Sequence, residues 1–114
     1  MALPLSTITT EVGKELTNCD GTPAAEIEVS FDLVSEGGGS LIVVDTVSGN
    51  PIIPKRLTFI TTVLGGLTAE VWPTVRGDKL CYYQVSVQNG PSFRAPLPDA
   101  DITWEAFVAG RITV

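Results

Sequence analysis

Between Glu26 and Val34 apolar and polar residues alternate. Ile27, Val29, Phe31 and Leu33 fall on one side, Glu26, Glu28, Ser30 and Asp32 on the other. A period of two places successive side chains on opposite faces of a strand, so this segment is predicted to be a strand with one buried and one wet face. A helix would spread the same charges around its whole circumference. Upstream, Ser6 to Leu16 is rich in Thr, Ile and Val, which favours a second strand. The turn formers Asp20-Gly21-Thr22-Pro23 lie between the two, and the expectation is that the strands pair across that turn.

The pattern continues downstream. Gly37-Gly38-Gly39 reads as a flexible surface loop, since no Lys-Ser/Thr follows to make a phosphate-binding loop. Leu41 to Val47 is a β-branched strand, and Ser48-Gly49-Asn50-Pro51 is the next turn. Ile52 to Val63 is extended but interrupted by Pro54, which places it at an edge or a bulge because proline donates nothing to a ladder. Gly65-Gly66 is expected to close a hairpin into Leu67 to Trp72. Leu80 to Val87 is a strand, Asn89-Gly90-Pro91 ends it, and Phe93 to Leu97 returns. Near the C-terminus, Asp101 or Thr103 is placed to cap one helical turn, with Gly110 as its stop; Ile112-Thr113-Val114 as a last short strand is the other reading.

Seven or eight short strands with regular turn signals and no long helical period predict an all-β fold: a single antiparallel β-sandwich, immunoglobulin-like or related, over residues 1–114. A length of 114 residues suits one domain with a modest core.

Composition narrows the function. Only 18% of residues are charged, which fits either a surface partly hidden against a partner or one made of Thr, Ser, Asn and Gln. The net charge is −6 and the seven basic residues are scattered, only Lys55 and Arg56 being adjacent. Binding to nucleic acid or an anionic membrane needs clustered positive charge, so neither is expected. Histidine is absent, which removes the commonest general base and metal ligand. Cys19 and Cys81 form no metal-binding spacing; they are read as two buried reduced thiols, with a disulfide as the alternative in a secreted protein. The N-terminus lacks a basic leader with a long apolar run, no stretch is long enough to span a bilayer, and no glycosylation sequon occurs. Assembly in a cytoplasm is the expectation.

Several constellations have a chemical and a structural reading. Glu26/Glu28 and Asp99/Asp101 are carboxylate pairs, but two carboxylates fall short of a calcium site, and strand-face and turn roles account for them. Arg76-Gly77-Asp78 spells an adhesion tripeptide, a match short enough to arise by chance. Trp72, Tyr82, Tyr83 and Phe93 could form an aromatic sugar platform, or Trp72 could plug the core. No enzyme, cofactor or metal is expected.

The richest stretch is Val71 to Val85, where Trp72-Pro73, Arg76-Gly77 and Tyr83-x-Val85 follow one another. This Trp-Pro-x-x-Arg-Gly…Tyr-x-Val arrangement resembles domains of bacteriophage tail fibres. Asp20 to Ala25 looks like the opening hairpin of those modules, and Ala95-Pro96-Leu97-Pro98-Asp99 like their closing segment. The resemblance implies a virion structural protein: a small β-sandwich that attaches a fibre, spike or adaptor by protein–protein docking, in some cases as a homotrimer. Its candidate interface and loop residues are Trp72, Pro73, Arg76, Gly77 and Tyr83, with Trp72 anchoring the loop and Arg76 paired to a carboxylate or a carbonyl. The chain ends soon after the resembling region, without shaft or receptor-binding tip, so an adaptor of the tail or neck is favoured over direct host recognition. A capsid decoration protein and a carbohydrate-binding or adhesin module are the alternatives.

Overall fold

The computed structural model describes residues 3–88 and 90–112. Among the described residues nine strands carry the fold: β1 (Ser6–Thr9), β2 (Glu28–Ser35), β3 (Val43–Val44), β4 (Pro51–Ile52), β5 (Leu57–Ile60), β6 (Thr68–Val71), β7 (Cys81–Val87), β8 (Ser92–Ala95) and β9 (Ile102–Thr103). A 3-10 turn, Thr74–Arg76, links β6 to β7, and one helix, α1 (Trp104–Ala109), follows β9. Of the described residues 39% are strand and 8% helical, and the sheets do not close, so the fold is the expected all-β sandwich type.

The larger sheet runs β5-β2-β7-β8 and is antiparallel throughout. The smaller runs β6-β1-β9, and β3-β4 form a separate ribbon. In β2 the alternation does what it implies: Val29, Phe31 and Leu33 are buried, opposite Val87, Val85 and Tyr83 of β7. The smaller sheet turns Ile8, Ala69 and Val71 inward against them. Phe31 sits at the centre, edge-on to Phe59 at 5.6 Å and to Tyr83 at 6.0 Å. Phe107 of α1 is buried at 6.1 Å from Phe31, so the helix plugs the core. The helix has the expected punctuation: the Thr103 hydroxyl accepts from Ala106 N–H at 3.2 Å, and Gly110 ends it.

Several expectations are corrected. The strand over residues 26–34 begins at Glu28, because Glu26 lies in the left-handed region at φ 54°. The first strand stops at Thr9 and does not pair with β2. It pairs with β6 in antiparallel register, Ile8 opposite Ala69, and with β9 in parallel. Placing β1 in the second sheet gives the apolar face of β2 a layer to bury against, which a two-stranded hairpin would lack. The turn at Asp20–Pro23 does form, with Asp20 Oδ1 accepting from Thr22 N–H at 3.0 Å, but it closes a local loop rather than a sheet. Gly65-Gly66 also turns, through Gly65 N–H to Thr62 O at 3.0 Å and Thr62 N–H to Gly66 O at 2.8 Å. Yet β5 and β6 enter different sheets, so this is an arch between layers, not a hairpin. The strand expected over Leu41 to Val47 is only Val43–Val44, for a reason given below.

The triple-glycine loop is closed by hydrogen bonds: Ser35 N–H to Gly39 O at 2.7 Å and Gly38 N–H to Ser35 O at 2.9 Å. Pro54 falls between β4 and the edge strand β5, as its missing donor requires. Cys81 is buried but Cys19 is exposed, and both are free. Gly90 N–H bonds to Val87 O at 2.8 Å, while Asn89 of the expected turn lies outside the described residues. Ile112 is not in a strand, although its N–H reaches Arg94 O at 2.8 Å; Thr113 and Val114 lie outside the described residues.

The arch makes a sharp test. Gly65 has φ 85°, and a Cβ there would run into the Leu16 carbonyl oxygen. That carbonyl also accepts from Ala24 N–H at 2.9 Å, and Leu16 N–H donates to Gly65 O at 3.0 Å. Gly65→Ala is therefore expected to destabilise by more than about 1 kcal/mol in urea unfolding. Gly21→Ala shares the positive φ but meets nothing within 4 Å. It should cost about 1 kcal/mol or less.

Candidate functional site

The Trp72–Tyr83 stretch folds around a residue that the sequence did not single out. Asp45, at the end of β3, is wholly buried. Its Oδ2 accepts from Trp72 Nε1 at 2.8 Å, and its Oδ1 from Arg76 Nη2 at 3.0 Å. The same Oδ1 takes the N–H groups of Val47 at 2.9 Å and Ser48 at 3.0 Å. Those last two bonds form a turn on the Asp side chain, and that turn is what ends β3 so early. One carboxylate thus gathers an indole, a guanidinium and two backbone donors.

The neighbouring residues tie down the rest. Pro73 is fully buried and leads into the 3-10 turn with φ −73°. Tyr83 Oη donates to Trp72 O at 2.6 Å. Thr74 Oγ1 accepts from Leu97 N–H at 2.8 Å, and Val75 N–H reaches Leu97 O at 3.3 Å, which fastens the turn to the segment after β8. Gly77 is closely surrounded: a Cβ there would lie 3.1 Å from Cys81 Sγ, 3.2 Å from Lys79 O and 3.3 Å from Thr74 O, so these neighbours would have to give. Backbone bonds between Thr46 and Arg76 at 2.8 Å and between Asp78 and Val44 at 3.0 Å zip residues 44–46 alongside 76–78.

Three of the five residues named from the sequence are brought together around one carboxylate or one bond from it: Trp72, Arg76 and Tyr83. Their exposures are 6%, 8% and 4%, so they hold a loop in place and present almost no surface. The exposed part of this segment is Val75, Asp78, Lys79 and Leu80. Of the two partners expected for Arg76, a carboxylate or a carbonyl, it has the carboxylate. Asp45 was missed because a lone Asp inside a β-branched run carries no pattern. The available signal was the need of a buried Arg and a Trp N–H for a common acceptor.

The electrostatics follow from this packing. Burial is the largest influence on Asp45 and pushes its carboxyl up. The bonds from Trp72, Ser48, Val47 and Arg76 together outweigh burial and hold it well below the ordinary carboxylate range. The folded value is depressed, so between it and the unfolded value near 3.8 the unfolded chain binds the extra proton. Stability from this group is therefore complete above about pH 4 and is lost as pH falls through and below that range. Acid titration of the unfolding free energy should show this decline in the native chain and a flatter profile in Asp45→Asn. Tyr83 and Cys81 are both pushed up, chiefly by burial and secondarily by a neighbouring group, Cys81 beside Tyr83 and Asp78 beside Cys81. Both are held neutral in the ordinary pH range.

The remaining constellations dissolve in the same geometry. Arg76 is locked to Asp45 and the Asp78 carboxylate accepts from Val44 N–H at 2.9 Å, so the Arg-Gly-Asp tripeptide is not presented as an adhesion loop. Trp72 and Tyr83 face inward, while Phe93 packs on Trp104 and Phe107, each at 5.9 Å; with Tyr82 they make no row on one face. Asp101 Oδ1 accepts from Thr7 N–H at 3.1 Å, and Asp99 is exposed. Among the described residues no group of three or more acidic or sulfur ligands is poised for a metal, and no helix is long and apolar enough to cross a membrane. Comparison with protein-family models finds no match, and comparison with curated proteins finds none either.

Proposed function

We propose that this chain is a bacteriophage virion structural protein, an adaptor or fibre-associated part of the tail or neck that works by docking to other virion proteins. The observation that supports the reading is the Asp45 latch. The residues of the Trp-Pro-x-x-Arg-Gly…Tyr-x-Val arrangement are used to fasten a connecting segment to the sandwich. A strongly braced loop on a small β fold suits a part that must keep its shape under load.

Docking surface is plentiful. β5 and β8 are the edges of the larger sheet and β6 and β9 of the smaller, and edge strands offer unpaired backbone groups for strand addition. Exposed Val75 and Leu80 add apolar surface beside the latch. The test is proteomic: particles purified from the source phage or prophage should contain the chain at a fixed copy number per virion. Its absence from infectious particles would overturn the proposal. Light scattering on the isolated protein refines the role, since a trimer is the expected assembly of a fibre-associated part.

A further inference from the structure

A second feature lies at the end of the sandwich formed by the loop of residues 10–27, beside α1. A cleft of about 560 Å³ opens there, floored by Leu16, Ile27, Val87, Pro91, Trp104 and Val108. It falls within the size range of specific binding clefts. Trp104 is only half-buried, braced from behind by Phe93 at 5.9 Å and Phe107 at 6.1 Å. A rigid aromatic floor of this kind suits an anchoring side chain.

The rim is acidic. Glu15 and Glu105 line it, and Glu11 stands beside Lys14. Among the described residues lining the cleft Lys14 is the sole basic one; it lies 2.9 Å from Glu105 and 3.9 Å from Glu11, and with Glu15 beside them the carboxylates still outnumber it. An apolar floor inside a negative rim selects a partner that is apolar at its centre and positive around it. A second copy of this chain, with its net charge of −6, would be repelled.

We propose that this cleft docks a basic segment of a partner protein, with Lys or Arg side chains meeting Glu15 and Glu105 and an apolar anchor seated on Trp104. The inference does not depend on the virion reading, because the cleft and its charge would serve any assembly. The probe is a blocked Lys-Lys-Leu-Phe-Lys-Lys peptide titrated into labelled protein by NMR, beside a control with Ser in place of every Lys. The expected result is amide shifts confined to the cleft, with affinity weakened roughly tenfold on going from low salt to physiological ionic strength or above. The Glu15→Lys/Glu105→Lys double variant should abolish these shifts. Glu105 is exposed, while Glu15 is half-buried and its carboxylate accepts from Gly13 N–H at 3.0 Å, so the variant's urea midpoint is measured beside the native one; Trp104→Ala, by contrast, disturbs the packing of Phe93 and Phe107. Equal binding of the Ser control, no binding of the Lys peptide, or self-association that the peptide competes away would each overturn the proposal.

Discussion

Replacing Trp72 with alanine is expected to lower the unfolding free energy by about 3–5 kcal/mol. Trp72 is 94% shielded, belongs to the same core cluster as Val43 and Tyr83, and gives its N–H to Asp45 at 2.8 Å. Truncation leaves a cavity and removes one of the four donors that steady a buried carboxylate. The two effects separate in Trp72→Phe, which keeps most of the ring volume and loses only the hydrogen bond; that variant should cost about 1–3 kcal/mol. Urea unfolding measures both, and an unchanged m-value would show that the loss lies in the native state. A midpoint unmoved by Trp72→Ala would remove the latch from any account of this fold.

Arg76→Met is expected to cost about 3–5 kcal/mol, comparable to the loss of Trp72. The guanidinium is the only cation within 4 Å of Asp45 among the described residues. Removing it leaves a negative charge in the interior with only neutral donors around it. The contrast is Arg56→Met. Arg56 makes a bidentate contact with Asp32, at 2.9 and 3.1 Å, but on an exposed face of the larger sheet. Solvent screens that pair, so its loss should leave the urea midpoint nearly unmoved. The exposed pair has two hydrogen bonds and the buried one a single bond, yet the buried one is expected to matter more, because solvent does not screen it. The double variant Arg76→Met/Asp45→Asn should recover part of the loss, since neutralising both partners leaves no orphaned charge. Losses that simply add would mean that the pair is not coupled.

The latch also explains why the sequence spoke clearly in some places and not in others. β2, β7 and β8 were legible because their strand character is written in short-range alternation, but the pairing of β2 with β7 joins distant segments and was not. The C-terminal helix was legible for a similar reason: Thr103 and Gly110 act on backbone groups within a few residues of themselves. The Gly65-Gly66 turn was visible, but its consequence was not. A turn of the same local geometry can return a strand to its own sheet or carry it to the facing one, and the choice depends on which layer still has apolar surface to cover. The same ambiguity misled the pairing of β1, whose partners Val71 and Ile102 lie far along the chain.

What the amino-acid sequence determined alone was the strand-dominated character, the positions of most turns, the capped last helix and the residue types clustered from Trp72 to Tyr83. These depend on backbone preference and on a period of two, both set within a few neighbouring residues. What only the tertiary structure decided was the assignment of strands to sheets, the exposure of Cys19 and the meeting of Trp72 and Arg76 at Asp45. Those depend on contacts between residues tens of positions apart. Burial makes such contacts strong, because an unpaired polar group in the interior is costly, yet it leaves no mark in the local pattern from which they could be read.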